Sequence, residues 1–172
     1  MERSSALDWR TAGPEHRAAL QSFTCADPPR AVWDRHRREK IHERPWELTV
    51  QSHIRALRPA LPSSENALLG FVDGDLASVV HFGWTDDGTQ LLVLAIATEH
   101  EHRRAGLGRA TLATTLDVLR SVRDDAAIGC GAFARIDRRN TPSARLFTAA
   151  GFVRLEPDRE DTDLDYWVHD LL

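Results

Sequence analysis

The stretch that decides the fold reads Leu91-Leu92-Val93-Leu94-Ala95-Ile96-Ala97-Thr98, then Glu99-His100-Glu101-His102-Arg103-Arg104-Ala105-Gly106-Leu107-Gly108-Arg109. Its first part, through Ala97, is a continuous apolar run, as expected of a strand buried on both faces. A polar turn with two glycines follows. It opens directly into a helix from about Gly108 to Val122, with Leu112, Leu116 and Leu119 on one face. This order makes an anion site. Backbone N–H groups at a helix start lack intrahelical partners, and the helix dipole adds positive potential. Gly106 and Gly108 let a bulky ligand approach the backbone. Arg103, Arg104 and Arg109 add full charges beside it. A diphosphate suits such a cradle.

Other nucleotide cradles do not match. A P-loop requires a lysine after its glycines, and the only lysine of the chain is Lys40. A dinucleotide fingerprint requires a third glycine where Thr111 stands. The pattern present is Arg-x-x-Gly-x-Gly, from Arg103 to Gly108.

Signals extend outward on both sides. Asn66 to Val72 is apolar and ends in Asp73-Gly74, a hairpin dipeptide; Leu76 to Trp84 is its partner. Farther upstream, Pro45 opens a helix whose Trp46, Val50, Ile54 and Leu57 recur at helical spacing, and Pro59 and Pro62 end it. Arg30 to Arg44 holds six basic residues against three acids. It reads as a solvated loop or helix face, or else as a lid toward an acidic ligand. Ala6 to Arg10 alternates as a short strand, and Pro14 opens a helix through about Phe23. Downstream, Ala126 to Ile136 reads as a second buried strand. Thr141 to Ala150 reads as a helix with Asn140 as N-cap, Pro142 in the first turn and Gly151 at its end. Strands about Val153 to Glu156 and Leu164 to Leu171 close the chain, in a stretch where Glu156 to Asp170 carries seven acids against one Arg. The order is β-α-α-β-β-β-α-β-α-β-β.

The 172 residues suit one domain, 42% hydrophobic and 28% charged. A net charge of −4 points to neither nucleic acid nor membrane as partner. Cys25 and Cys130 have no zinc-ligand spacing and form no disulfide framework. Free thiols fit a reducing compartment. No apolar signal core follows the N-terminus, and the apolar runs fall short of the roughly 20 residues that span a bilayer. The expected location is the cytoplasm.

At Arg103–Arg109 the sequence resembles the pyrophosphate loop of the GNAT superfamily of acyl-CoA-dependent N-acyltransferases. A second stretch, Asn140-Thr141-Pro142-Ser143-Ala144-Arg145-Leu146-Phe147 with Ala150-Gly151-Phe152, is similar to that family's second cofactor-side helix and its Gly-Phe ending. The resemblance spans nearly the whole chain, residues 1–172, as a single domain. It implies an α/β (α+β) fold, with a mixed, mostly antiparallel sheet of six to seven strands, helices on both faces, and a splay between the fourth and fifth strands. It implies acetyl-CoA as cosubstrate and CoA as product. The pantetheine arm would bond the backbone of Ile96, Ala97 and Thr98 as an added strand does. Arg103, Arg104, Ala105, Gly106, Leu107, Gly108 and Arg109 would hold the pyrophosphate. Asn140 and Ser143 would touch the cofactor from the opposite wall, and Asn140 suits a helix cap as well.

Acyl transfer to an amine needs a neutral amine, a polarised carbonyl and a protonated leaving thiolate. A backbone N–H of the fourth strand would polarise the carbonyl. Many family members carry a tyrosine where this chain has Phe147, which donates no proton. Tyr166, the only tyrosine, is the first substitute as acid, ahead of Ser143 and Cys130. His81 and Glu99 are the candidate bases. His100-Glu101-His102 lie adjacent in a turn, so no metal is expected. The expected acceptor is a primary amine of a small molecule, amino acid or peptide, and a homodimer is compatible with the sequence. Two other readings remain open: an acyl-CoA-binding regulatory module without turnover, kept alive by Phe147, and a toxin-like aminoacyl-tRNA acetyltransferase, supported by Arg30 to Arg44. Acceptor choice would lie between Pro14 and Ser64, where Trp33, Trp46 and His53 line a pocket or pack the helices.

Overall fold

The computed structural model describes residues 7–58, 60–126 and 131–171. The chain begins with β1 (Asp8–Thr11), a 3-10 turn at Pro14–His16 and α1 (Arg17–Ser22). A small hairpin, β2 (Val32–Asp34) and β3 (Glu39–Ile41), leads to α2 (Pro45–Ala56). Then come β4 (Glu65–Val72), β5 (Asp75–Trp84) and β6 (Leu91–Thr98), a 3-10 turn at His100–His102, and α3 (Leu107–Ala126). The chain closes with β7 (Gly131–Asp137), α4 (Thr141–Ala149), β8 (Val153–Pro157) and β9 (Leu164–Asp170).

The apolar run Leu91–Thr98 is the middle strand of a seven-stranded sheet ordered β1-β4-β5-β6-β7-β9-β8. Only β6 and β7 run parallel; every other neighbouring pair is antiparallel. Asp73 and Gly74 join β4 to β5 with φ of 51° and 93°, the two left-handed positions of a tight hairpin turn. On one face, Leu112, Leu116 and Leu119 of α3 and Phe147 of α4 pack on Val80, Phe82, Val93, Ala134 and Trp167. On the other, Leu20 and Ile54 of α1 and α2 pack on Leu69, Phe71, Val79 and Ala95. Thr111 and Thr115 complete the buried side of α3. Their hydroxyls donate to carbonyls one turn back, and Thr111 also meets the Ser78 hydroxyl at 2.6 Å. Satisfied this way, they enter the core without an unpaired polar atom.

Two expectations are revised. Within Arg30 to Arg44, expected as a solvated loop or helix face, Val32–Ile41 forms a solvated two-stranded hairpin. Asp34 Oδ1 accepts from the N–H groups of His36 and Arg37 at 2.8 and 3.1 Å, and Arg38 takes a φ of 56°, so the tip turns tightly. Ala126 belongs to α3 rather than to a strand. Arg123 in the last turn of α3 donates to the Leu171 carbonyl and ties that turn to the C-terminal strand. The strand begins at Gly131, and Cys130 and Pro59 lie outside the described residues.

Candidate active site

The parallel pair β6–β7 is bonded only at Leu91–Ala132, Leu92–Phe133 and Val93–Ala134. Beyond these rungs the strands part, so β6 from Ala95 to Thr98 has ladder partners on its β5 side alone. A bulge marks the fork: Phe82 faces Val93 and His81 faces Ala95, with Leu94 unpaired between them. The bulge exchanges the two faces of β6. Val93 belongs to the α3 core, whereas Ala95 belongs to the α2 core.

The gap is a cleft with two adjoining lobes that share Trp46, Val50, Ile96, Asn140 and Ser143. One lobe, about 680 Å³, runs along Ile96, Ala97 and Thr98 to Arg104 and Gly108. At its end the N–H groups of Arg104, Ala105, Gly106, Leu107 and Gly108 have no partner among the described residues. Successive free amides at a helix start suit a diphosphate. Gly106 has a φ of 76°, which lets the chain turn there. A Cβ on Gly108 would lie 3.7 Å from Thr98 Oγ1 and 3.6 Å from Leu146, so the glycine keeps the floor of the lobe low. These groups fit CoA: an unpaired strand edge for an amide-bearing arm, then free N–H donors for two phosphates.

Of the residues Arg103–Arg109 expected to hold a pyrophosphate, the first and last have main-chain N–H groups already bonded. Arg103 N–H is bonded to the His100 carbonyl, and Arg109 N–H to that of Gly106. The Arg103 side chain faces α2, where it pairs with Glu47 at 3.0 Å and donates to the Cys25 carbonyl. Asn140 does cap α4, accepting from Ser143 N–H at 3.2 Å, and both residues line the two lobes. Cys25 lines the cofactor-side lobe, where burial pushes its thiol up to about 11.

The second lobe, about 480 Å³, lies over the bulge. Trp46, Thr49 and His53 of α2 form one wall, and Arg135, Asp137 and Arg139 the other. Arg139 binds Asp137 at 2.7 Å and Asp163 at 3.6 Å, with its guanidinium 5.4 Å from the Trp46 ring centroid. The Arg139 hydrogen bond holds the Asp137 carboxyl below the usual range. Arg135 of this wall and neighbouring Arg138 pair with two more acids of the C-terminal stretch, Asp158 at 3.2 Å and Asp165 at 2.9 Å.

The three expected catalytic side chains are not brought together. Phe147 is 2% exposed, edge-on to Phe152, and forms part of the cleft wall. Tyr166 lines a third cavity with Leu92 and Phe133, which adjoins the lobe over the bulge through Val93, Leu94, Ala134 and Arg135; burial and then nearby Asp158 raise its pKa. Glu99 caps the 3-10 turn, accepting from Glu101 N–H at 2.7 Å, and lies outside both lobes. His81 is 4% exposed and does not reach the cleft itself. It bonds Glu65 Oε2 at 2.9 Å and His53 Nε2 at 2.9 Å. His53 was legible only as a pocket or packing residue, because α2 and β5 meet through the fold and not through spacing.

Among the described residues no cluster of three or more His, Cys, Asp or Glu is arranged to hold a metal, and no helix is long and apolar enough to cross a membrane. Among curated proteins, none matches the chain in sequence. Among solved structures, nourseothricin acetyltransferase is 19% identical over 97% of this chain and 99% of its own, with a TM-score of 0.65. The ribosomal-protein-S18-alanine N-acetyltransferase of Escherichia coli is 14% identical over 96% and 94%, with a TM-score of 0.63. The paiA N-acetyltransferase of Thermoplasma acidophilum, in complex with coenzyme A, is 12% identical over 96% and 99%, with a TM-score of 0.66. Residues 68–161, more than half of the chain, match the family described as FR47-like protein. With the forked sheet, the bulge and the amide cradle on the same segment, the chain belongs to the FR47-like family and has the fold of a GNAT N-acetyltransferase domain.

Proposed function

We propose that this protein is an acetyltransferase that moves an acetyl group from acetyl-CoA directly to a primary amine of a small molecule, amino acid or peptide, both reactants bound at once. One observation carries the reading: free main-chain amides at Arg104–Gly108 meet an unpaired strand edge at Leu94–Thr98 inside one continuous cleft. CoA bound there supplies the acyl thioester. The β6 edge positions the arm, and Gly106 and Gly108 admit the phosphates. Main-chain N–H groups beside the bulge at Leu94 would polarise the thioester carbonyl. The lobe over the bulge would receive the amine, between the α2 wall and the Asp137–Arg139 wall. The buried free thiol of Cys25 supports a cytoplasmic setting.

Calorimetry with CoA and acetyl-CoA, and free-thiol release from acetyl-CoA with amino acids, polyamines and aminoglycosides, test the reading. Micromolar cofactor binding and acceptor-dependent thiol release are the expected results. Failure to bind either form of the cofactor overturns it, and binding without release for any amine leaves an acyl-CoA-binding module.

A larger acceptor, an aminoacyl-tRNA, is favoured by the β2–β3 hairpin. Trp33 is 61% exposed there, and Arg35, Arg38 and Lys40 have no ion-pair partner among the described residues. Cations beside an exposed aromatic ring suit a nucleic-acid backbone and its bases. Acetyl-CoA-dependent arrest of a cell-free translation system would support this acceptor, and uninhibited translation would exclude it.

A further inference from the structure

The geometry points to His53 as the catalytic base, held and tuned by a hydrogen-bonded chain through His81 to Glu65. This rests on the acetyltransferase reading of the same cleft. Glu65 opens β4, His81 lies on β5 and His53 on α2, so three elements converge on one line of hydrogen bonds. The register sets that line at the fork, since His81 faces Ala95, the neighbour of bulged Leu94. His53 is the one member of the chain that lines the acceptor-side lobe.

The bonding order fixes the protons. An ionised carboxylate only accepts, so His81 Nε2 carries its proton toward Glu65. His81 Nδ1 is then bare and accepts from His53 Nε2–H. That leaves His53 Nδ1 bare, with no partner among the described residues. A proton taken there is stabilised by transfer along the same line, placing positive charge on His81 beside Glu65. The rings are tilted against one another, with centroids 5.1 Å apart, so the pair is packed as well as bonded.

The step balances without another residue. A neutral primary amine bonds the thioester carbonyl carbon, and one N–H proton passes to His53 Nδ1. The C–S bond breaks with its electron pair going to sulfur, and His53 returns the proton to the thiolate. The products are an amide and a free thiol. One ring thus serves as base and then as acid, which removes the need for a hydroxyl at Phe147. Burial keeps His53 and His81 below the ordinary histidine value, so both are neutral and ready at pH 7. The charged groups facing His53 are Glu65 through His81 and, across the lobe, Arg135, Asp137, Arg139, Asp161 and Asp163.

The test compares wild type, His53→Gln and Glu65→Gln, with acetyl-CoA and the amine mixture above as probes. His53→Gln should lower kcat by about 100-fold or more, abolish the acid limb of the pH profile and leave CoA affinity within twofold. Glu65→Gln should lower kcat about tenfold and move the acid limb, while a thermal melt shows the fold intact. Nitrogen-15 spectra of the imidazoles should show both rings protonated on Nε2. A His53→Gln variant as fast as wild type overturns the relay, as does a His53 ring protonated on Nδ1. If the wild type transfers to no amine, the acetyltransferase reading fails, and the spectra still decide the relay.

Discussion

The two lobes of the cleft are built in different ways. The cofactor-side lobe is main chain: a strand edge without a neighbour, then amides at a helix start. The lobe over the bulge is lined by side chains from α2, β7, the β7–α4 turn and the β8–β9 loop: Trp46, His53, Asp137, Arg139 and Asp163. A main-chain site depends on where backbone bonds are missing, so it tolerates almost any side chain that does not block it. A side-chain site depends on which distant segments the fold brings face to face. The first can be shared by proteins of very low identity, whereas the second is free to change with the acceptor.

The sharpest way to break this contrast is at the glycines. Gly106 and Gly88 both sit at positive φ, 76° and 68°, and neither would crowd an added Cβ. Valine at either position stores about 1–3 kcal/mol of backbone strain. Gly106→Val should weaken CoA binding about 100-fold by calorimetry, because the strain is relieved by moving the amides. Gly88→Val should leave CoA binding unchanged while lowering the melting temperature by a similar amount. Equal losses of affinity would mean that Gly106 acts only through stability.

The next effect concerns the wall of the lobe over the bulge. Phe147→Tyr adds a hydroxyl on a nearly buried ring. A stability loss of about 1 kcal/mol is expected from chemical denaturation, with kcat for thiol release raised by no more than about threefold. A gain near 100-fold would show that the leaving thiolate lacks an acid in the wild type and would count against proton return by His53.

Arg139→Gln should act on the acceptor side alone. It frees Asp137 and Asp163 at the mouth of the lobe. Acceptors with an extra positive charge should then show KM lowered about threefold, with CoA affinity unchanged. A change in CoA affinity would mean that the two lobes are coupled through Trp46.

The smallest effect is on stability against pH. His53 and His81 both titrate below the free histidine value, chiefly through burial. Their neutral forms therefore contribute stability that is full above about pH 6.5 and is lost as pH falls toward their folded values. The melting temperature should fall by about 2–4 °C between pH 7 and pH 5.5, and His81→Gln should flatten that slope. An unchanged slope in the variant would remove the buried pair as its cause.

The same division decided what the sequence revealed. The strand Leu91–Thr98, the Asp73-Gly74 hairpin, the apolar face of α3 and the Asn140 cap are local signals, each carried within a few residues, and each is present in the fold. The free amides of Arg104–Gly108 lie within the motif that announced them, though Arg103 and Arg109 spend their own N–H groups internally. The hairpin at Val32–Ile41 was hidden because its strands are three residues each and highly charged. His53 was legible as a pocket-lining candidate and does line the lobe over the bulge, but its partner was not, because only the fold sets His81 of β5 2.9 Å away. Tyr166 and Glu99 looked eligible by type; strand register sets Tyr166 beside Arg135 in a cavity adjoining the lobe over the bulge, and Glu99 caps a turn outside both lobes.

Cys25 gives the cofactor lobe one further property. With its thiol raised to about 11, roughly one molecule in 10⁴ carries the sulfur as an anion at neutral pH. A sulfur so seldom ionised is a poor nucleophile, so this wall stays inert toward electrophiles that enter the lobe.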